Sequence, residues 1–91
     1  MAVTVHISAP LQRFTSGEAE VEITAHSVYA CIDELEARFP GIRRNILNEH
    51  SERHKFVNIY LNGDDIRSLQ GLSTTIHSGD EISIVPVIAG G

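Results

Sequence analysis

Hydrophobic and polar residues alternate in four parts of the chain, which are residues 3–7, 18–23, 56–61 and 82–84. A period of two buries one face of a β-strand, so the pattern predicts four strands. In the second of them the polar positions are all glutamate, which is typical of an edge strand with one face in water. The first and last strands are rich in β-branched residues and carry few charges at their centres, so we expect them in the middle of a mixed sheet.

A helical period replaces this alternation between the second and third strands. Hydrophobic residues recur at helical spacing from Val28 to Phe39, Ser27 offers an N-cap oxygen, and Pro40-Gly41 is expected to end the helix. This helix is the only predicted element long enough to cover the apolar face of the sheet. The pattern therefore predicts an α+β fold in which a mixed sheet packs on one main helix.

The connections are short, and several of them carry turn signals. Asn62-Gly63 predicts a tight turn between the third strand and a short returning strand that contains Ile66. Residues 42–47 suggest a short second helix, and the wholly polar residues 48–55 predict an exposed loop. Three hydrophobic residues are expected to anchor the irregular segment before the last strand: Leu69, Leu72 and Ile76.

The charge balance argues against nucleic acid as a partner. The chain has 12 acidic and 7 basic residues, which gives a formal net charge of -5 at pH 7, and such a surface repels phosphate backbones. Residues 1–10 lack the basic and apolar pattern of a signal peptide, and no apolar run reaches the length of a membrane span. We therefore expect a soluble cytoplasmic protein that binds neither nucleic acid nor membranes.

Few side chains offer chemistry of their own. The one cysteine, Cys31, cannot form an internal disulfide or a multi-thiolate metal site, and its apolar neighbours favour a buried core position. His50 and His54 would share a helix face and make a metal site conceivable, but the absence of a third ligand nearby favours a solvated loop. We predict no catalytic residue, no metal site and no bound cofactor.

Charged residues concentrate in two sets. We interpret both sets mainly as surface charge that keeps the protein in solution. The basic set follows the helix and the acidic set lies later in the chain: Arg43, Arg44, Arg53 and Lys55, then Asp64, Asp65, Asp80 and Glu81.

The end of the sequence has a different character. After Val85 neither alternation nor charge continues, so we divide the chain into a domain of residues 1–85 and a flexible, extended tail of residues 86–91. A tail of this length reaches at most about 20 Å, far enough to carry a terminal carboxylate into the cleft of another protein. Gly90 and Gly91 remove every Cβ from the tip, so the last peptide can pass through a narrow tunnel.

The element order and the terminal glycines together resemble one protein family. The resemblance covers nearly the whole chain and is carried by Val3-Thr4-Val5, the Leu11 to Gly17 turn, Leu35-Glu36 to Phe39-Pro40-Gly41, Phe56 to Asn62, Gly79-Asp80-Glu81-Ile82 and Pro86 to Gly91. In these blocks the chain is similar to the ubiquitin-like sulfur carrier proteins, which include the small subunit of molybdopterin synthase and the thiamine-pathway carrier. In residues 40–62 and 71–76 it looks most like the carrier of actinobacterial cysteine biosynthesis. The resemblance implies a β-grasp fold.

The same resemblance implies a role for the C-terminus. In that family a separate ubiquitin-activating-like enzyme uses Mg-ATP to adenylate the terminal glycine carboxylate, and a sulfur donor then displaces AMP to leave a thiocarboxylate. Mapped onto this chain, Gly91 becomes the thiocarboxylate, and the ATP site belongs to the partner enzyme. The chain itself is then a sulfur carrier and not an enzyme. The tail residues that would enter partner active sites are Pro86, Val87, Ile88, Ala89 and Gly90.

The implied partners are enzymes that load the carrier or receive its sulfur. The acceptor is a cysteine-synthase-like enzyme or the large subunit of molybdopterin synthase, and a tail-processing metalloprotease is a further candidate. Phe56, Tyr60 and Val85 are candidate contact residues for such partners, although a buried core position is equally compatible with Tyr60.

Three other functions fit parts of the same pattern. The chain resembles the small subunit of molybdopterin synthase, which is a permanent partner of a larger subunit. A ubiquitin-like modifier would use the same activated tail to acylate lysines on other proteins, although the single lysine, Lys55, disfavours self-chains. A plain interaction module would make no chemical use of its C-terminus.

Overall fold

The computed structural model describes residues 2–54 and 56–86, which form a five-stranded sheet, one α-helix and short 3₁₀ helices. The regular elements are β1 (Val3–Ile7), β2 (Glu20–Ile23), α1 (Val28–Arg38), β3 (Val57–Leu61), β4 (Asp64–Asp65) and β5 (Glu81–Pro86). The 3₁₀ helices are Ala9–Phe14, Arg43–Asn45, Ile66–Ser68 and Gly71–Ser73. No helix in these described ranges is long and apolar enough to cross a membrane. The predicted α+β fold with one main helix is confirmed.

The strands lie in the order β2-β1-β5-β3-β4, so β5 is the central strand. β1 and β5 run parallel, and every other neighbouring pair is antiparallel. This mixed sheet confirms the inner positions predicted for the first and last strands and the edge position predicted for the glutamate-bearing β2. The strand that leads into the C-terminal tail therefore has a neighbour on each side as far as Ile84.

One hydrophobic core fills the space beneath the sheet. The inward residues of three adjacent strands, Val5, Ile59 and Ile84, are all 0% exposed, as is Leu35 of α1. Burying a side chain of this size stabilises a fold by roughly 1.5–3 kcal/mol. Core packing is thus the main source of stability for a chain whose one cysteine, Cys31, is free and buried.

The segment after β3 differs from the prediction. Asn62 and Gly63 do form the tight turn, with φ values of 52° and 90° that a two-residue hairpin turn requires. The returning strand β4, however, has only two residues, and Ile66 lies in the 3₁₀ helix that follows it. The reason is a local cap, because an Asp65 carboxylate oxygen accepts the backbone N–H of Arg67 at 2.8 Å and turns the chain before the strand can continue.

Other connections also differ in detail. Leu69 is 42% exposed and does not anchor the segment before β5, whereas Ile76 is buried and Leu72 is half-buried. The short helix predicted within residues 42–47 is a single 3₁₀ turn at Arg43–Asn45. The residues that flank this turn supply the buried side chains. The hydrophobic positions are therefore buried as the pattern indicates, whereas the predicted helix length is wrong.

Both ends of α1 are closed by side chains. At the N-terminus the Ser27 hydroxyl accepts the backbone N–H of Ala30 at 3.1 Å, as predicted. Near the C-terminus the Glu36 carboxylate accepts the backbone N–H of Gly41 at 2.9 Å and that of Arg43 at 2.9 Å. Glu36 therefore ties the end of the helix to the segment that follows it.

We expect Glu36→Gln to destabilise the protein at neutral pH more than it does in acid. The hydrogen bonds from Gly41 and then Arg43 lower the pKa of Glu36 below its ordinary value of 4.5. A lowered pKa in the folded state contributes stability above the unfolded pKa, and that stability is lost as the pH falls through the folded pKa. Urea unfolding midpoints at pH 7 and pH 3 measure the difference between the variant and the parent protein.

Glu34→Gln is the matched control, since Glu34 lies on the same helix, is exposed and accepts no hydrogen bond from a described residue. It should change the midpoint little at either pH. Equal losses in both variants, or a Glu36→Gln loss that persists unchanged at pH 3, would contradict the assignment.

Candidate functional site at the base of the tail

The domain ends at β5, whose last residue is Pro86. The strand pairs Val85 with Asn58 and Pro86 with Val57. Pro86 therefore belongs to the sheet, whereas the prediction assigned it to the tail. The boundary predicted at 85/86 therefore moves by one residue. The predicted tail residues Val87 to Gly91 lie outside the described residues.

At its end β5 is paired on one side only. β1 ends at Ile7, which pairs with Ile84, so the last two residues of β5 are paired only with β3. Pro86 has no backbone N–H to offer a further neighbour. Beside it, the Ser8 hydroxyl donates to the Ile84 carbonyl at 2.9 Å and fixes the strand end to the first 3₁₀ helix. Sequence reasoning missed Ser8, because a lone serine after a strand carries no signal for a contact 76 positions away.

Tyr60 and Val85 lie on the face of the sheet opposite the core. Tyr60 pairs with Ser83 across the β3–β5 ladder, and Val85 pairs with Asn58, so the two candidate contact residues are diagonal neighbours. Val85 is 36% exposed and Tyr60 is half-buried. The Tyr60 hydroxyl accepts a hydrogen bond from the Asn58 amide at 3.3 Å. A core position for Tyr60 is therefore wrong.

Phe56 lies apart from regular structure, one residue before β3 begins. It is 44% exposed, and its ring lies 5.5 Å from the His54 ring, centroid to centroid. Together with Pro86 it lines a groove beside the end of β5. The three candidate contact residues thus lie in two places, with Tyr60 and Val85 on the open sheet face and Phe56 in the groove.

Glu81 at the start of β5 and Glu20 at the start of β2 flank one histidine. His6 lies between two glutamates on the open sheet face, with Nε2 2.6 Å from Glu81 and Nδ1 3.5 Å from Glu20. On the edge strand β4, hydrogen bonds from the side chain and the backbone of Arg67 lower the pKa of Asp65 to about 2. Glu20 lies level with Ser83, whereas Glu81 begins β5, so the carboxylates are spread over the open face and do not mark one end of the sheet.

The basic set that follows α1 has more than a solubilising role. The Arg43 side chain donates to the Tyr29 hydroxyl at 2.6 Å, and its Nε lies 3.2 Å from an Asp33 oxygen. These contacts join α1 to the segment that follows it. The Arg53 side chain donates to the backbone carbonyls of His54 and Val57 at the start of β3. Arg43 and Arg53 therefore brace the fold.

The histidine pair does not share a helix face, since residues 48–54 contain no helix and Arg53 forms an isolated bridge with Leu47. His54 Nδ1 accepts the backbone N–H of Phe56 at 3.2 Å, which occupies one of its two ligating nitrogens. Within residues 2–54 and 56–86 no three His, Cys, Asp or Glu side chains are grouped to hold a metal ion. Within the loop, the Asn48 side chain accepts the backbone N–H groups of His50 and Glu52.

Cys31 occupies the predicted core position on α1. It is 1% exposed, and burial, with Glu34 nearby, raises the pKa of its thiol to about 12. A thiol with so high a pKa stays protonated at neutral pH and is a poor nucleophile. Cys31 is therefore not an activated nucleophile.

Comparison with known proteins places the chain in a family. The sequence profile of the ThiS family matches residues 5–91. Sulfur carrier protein CysO of Mycobacterium tuberculosis is 40% identical over 93 residues, and the alignment covers 100% of this chain and 100% of that protein.

Solved structures agree with this assignment. The crystal structure of the BexX/CysO complex of Amycolatopsis orientalis matches with a TM-score of 0.93 at 39% identity, covering 99% of this chain and 100% of that chain. Small archaeal modifier protein 1 of Methanosarcina acetivorans matches with a TM-score of 0.84 at 31% identity, covering 99% of this chain and 96% of that chain. The predicted β-grasp fold and the predicted family are confirmed, and the chain belongs to the ThiS family.

Proposed function

We propose that this protein is a sulfur carrier whose Gly91 carboxylate is converted to a thiocarboxylate. The observation that carries the proposal is the extent of the family match, which runs from residue 5 through Gly91 and so includes the terminal glycines. The full-length identity of 40% with a protein named sulfur carrier protein CysO supports the same function.

The chemistry follows from the nature of a carboxylate. A terminal carboxyl group has a pKa of about 3.3 to 3.7, so at neutral pH it is an anion and a poor electrophile. A partner enzyme supplies Mg-ATP, the Gly91 carboxylate attacks the α-phosphate, and pyrophosphate leaves. A sulfide-class donor then attacks the acyl carbon, AMP departs, and the C-terminus is left as a thiocarboxylate. This chain contributes only the acyl group.

The fold suits that role because the tail starts from the most strongly held strand. β5 is central, and the Ser8 contact and the pairing with β3 fix its last residues. A partner that binds the domain thereby fixes the point from which residues 87–91 extend. The extended length of these residues is at most about 18 Å. Positioning of this kind lowers the entropic cost of bringing an acyl group to a foreign active site.

The partners follow from the same proposal. We infer a ubiquitin-activating-like enzyme for loading and a cysteine-synthase-like enzyme as acceptor, with a metalloprotease as a candidate for tail processing. The match with an actinobacterial CysO, and with a CysO that crystallises in a complex with the second protein BexX, supports a carrier that works through partners. The free, buried Cys31 fits a reducing compartment, and we propose that the protein acts in the cytoplasm.

Intact mass spectrometry tests the proposal. After incubation with the activating enzyme, Mg-ATP and sulfide, the mass should rise by about 16 Da, the difference between sulfur and oxygen, and the change should map to Gly91. Omission of ATP is the control, because it removes the activation step that a carboxylate requires. An unchanged mass, with an enzyme shown to load a related carrier, would refute thiocarboxylate formation.

A protein-modifier function is the second candidate. The structural match to a small archaeal modifier protein at 31% identity favours it over a plain interaction module. In that case the activated Gly91 would form isopeptide bonds, and trypsin digestion of cell extracts would leave residues of this tail attached to lysines of other proteins. Stable co-purification with a large subunit would instead indicate the molybdopterin synthase arrangement.

A further inference from the structure

A groove lies beside the end of β5, between two of the 3₁₀ helices and the residues that lead into β3. Its volume is about 270 Å³. No carboxylate of the described residues lines it, although the chain has 12 acidic and 7 basic residues. We call it the basic groove, and the side chains that define it are Arg13, Phe14, Arg44, His54, Phe56 and Pro86.

Neither arginine of the basic groove is held in a close ion pair, although Arg44 also lies near the Glu36 carboxylate. Arg13 and Arg44 are exposed, and neither forms a salt bridge with a carboxylate of the described residues. Arg67, in contrast, is paired with Asp65 at 2.6 Å. The Arg13 guanidinium lies 4.9 Å from the centre of the Phe14 ring, so it is positioned against an apolar wall of the groove.

His54 adds a hydrogen-bond donor to these two arginines. Its Nδ1 accepts the Phe56 backbone N–H at 3.2 Å, so the neutral imidazole carries its proton on Nε2. Phe14, Phe56 and Pro86 supply apolar surface between the polar groups. The groove therefore combines fixed positive charge with an apolar lining, which is the character of a site for a peptide that carries both acidic and apolar side chains.

We propose that the basic groove binds an acidic, extended segment of the protein partner that takes in the C-terminal tail. The proposal rests on the proposed carrier function, because Pro86 belongs both to the groove wall and to the strand from which the tail departs. A partner that receives the tail must pass close to this wall. Charge complementarity commits the occupant to an acidic segment, since Arg13 and Arg44 line the groove and none of the described carboxylates does.

A small anion is a poorer fit than a peptide. A phosphate site needs buried donors that converge on one point, whereas both arginines are exposed and lie on separate elements. Nucleic acid is disfavoured by the net charge of -5. An extended peptide can place one carboxylate near each arginine and an apolar side chain between them.

The test is a titration of the full-length, ¹⁵N-labelled protein at low salt with a six-residue peptide of alternating glutamate and leucine. We expect saturable shifts of backbone amides around the basic groove, and none with the counterpart peptide of alternating lysine and leucine. The double variant Arg13→Gln/Arg44→Gln should bind about tenfold more weakly. The control Arg38→Gln/Arg67→Gln changes the net charge equally at sites outside the groove and should bind as the parent protein does.

Four results would overturn the proposal: no saturable shift, equal weakening in both double variants, the same shifts with sodium phosphate alone, or tighter binding of a six-nucleotide thymidine strand. Stronger peptide binding after deletion of residues 87–91 would also overturn it, since it would identify this chain's own tail as the occupant. The titration uses no activating enzyme. Its failure therefore leaves thiocarboxylate formation untouched, and failure of thiocarboxylate formation leaves the peptide result standing.

Discussion

Deletion of Gly90 and Gly91 is expected to abolish sulfur loading while leaving the fold intact. The deletion withdraws the terminal carboxylate by up to about 7 Å, more than an active site tolerates for reacting atoms that must approach to about 3–3.5 Å. It also ends the chain at Ala89, whose Cβ must enter a passage that glycine alone crosses freely. The intact-mass assay should therefore show no gain of about 16 Da.

The stability of the deletion variant should match that of the parent protein. Every buried residue of the described core lies at or before Ile84, so removal of the terminal glycines exposes no part of it. Urea unfolding measures this, and an unchanged midpoint separates loss of chemistry from loss of structure.

Two tagged proteins complete the experiment. A C-terminal histidine tag should block loading, because it replaces the Gly91 carboxylate by a peptide bond, while the same tag at the N-terminus should leave loading unchanged. Sulfur loading of the deletion variant or of the C-terminally tagged protein would show that Gly91 is not the reacting group, and a plain interaction module would tolerate either change.

Most of the fold could be predicted from the sequence because its central elements have strong periodic patterns. The alternation in β1 and β5 and the helical spacing of α1 reflect burial of one face, and burial dominates the choice of structure there. Prediction failed where a local hydrogen bond decided the backbone. Asp65 ended β4 after two residues by capping Ile66–Ser68, and no hydrophobic period records such a contact.

The candidate site divides in the same way. The terminal glycines and their position after the last strand are visible in the sequence alone, and the role assigned to them stays a prediction. The basic groove could not, because it brings together Arg13, Arg44, His54 and Pro86 from separate parts of the chain. Only the parallel pairing of β1 with β5 places the first 3₁₀ helix beside the start of the tail. Long-range contacts of this kind depend on the topology of the sheet.

Ile84→Ala is expected to cause the largest loss of stability that we predict. Ile84 is 0% exposed on the central strand, and it pairs with Ile7 on one side and Ile59 on the other. Truncating such a side chain costs about 2–5 kcal/mol, because the apolar transfer free energy is lost and a cavity remains between rigid strands. This is a large share of the total stability of a small domain, which is on the order of 5–15 kcal/mol.

Thermal and urea unfolding measure this loss, and a cost of about 3 kcal/mol corresponds to a fall in Tm of about 12–24 °C for a domain of this size. Val85→Ala is the matched control, since Val85 is the next residue of the same strand and is 36% exposed on the opposite face. It should lose less than about 1 kcal/mol. Below its own unfolding transition, the Ile84→Ala protein should still accept sulfur at Gly91, because the hydrogen bond from the Ser8 hydroxyl to the carbonyl of residue 84 and the tail sequence are both retained. Equal destabilisation by the two variants would contradict the burial that places β5 at the centre of the core. Complete loss of sulfur loading in folded Ile84→Ala would show that the chemistry depends on more of the domain than its tail.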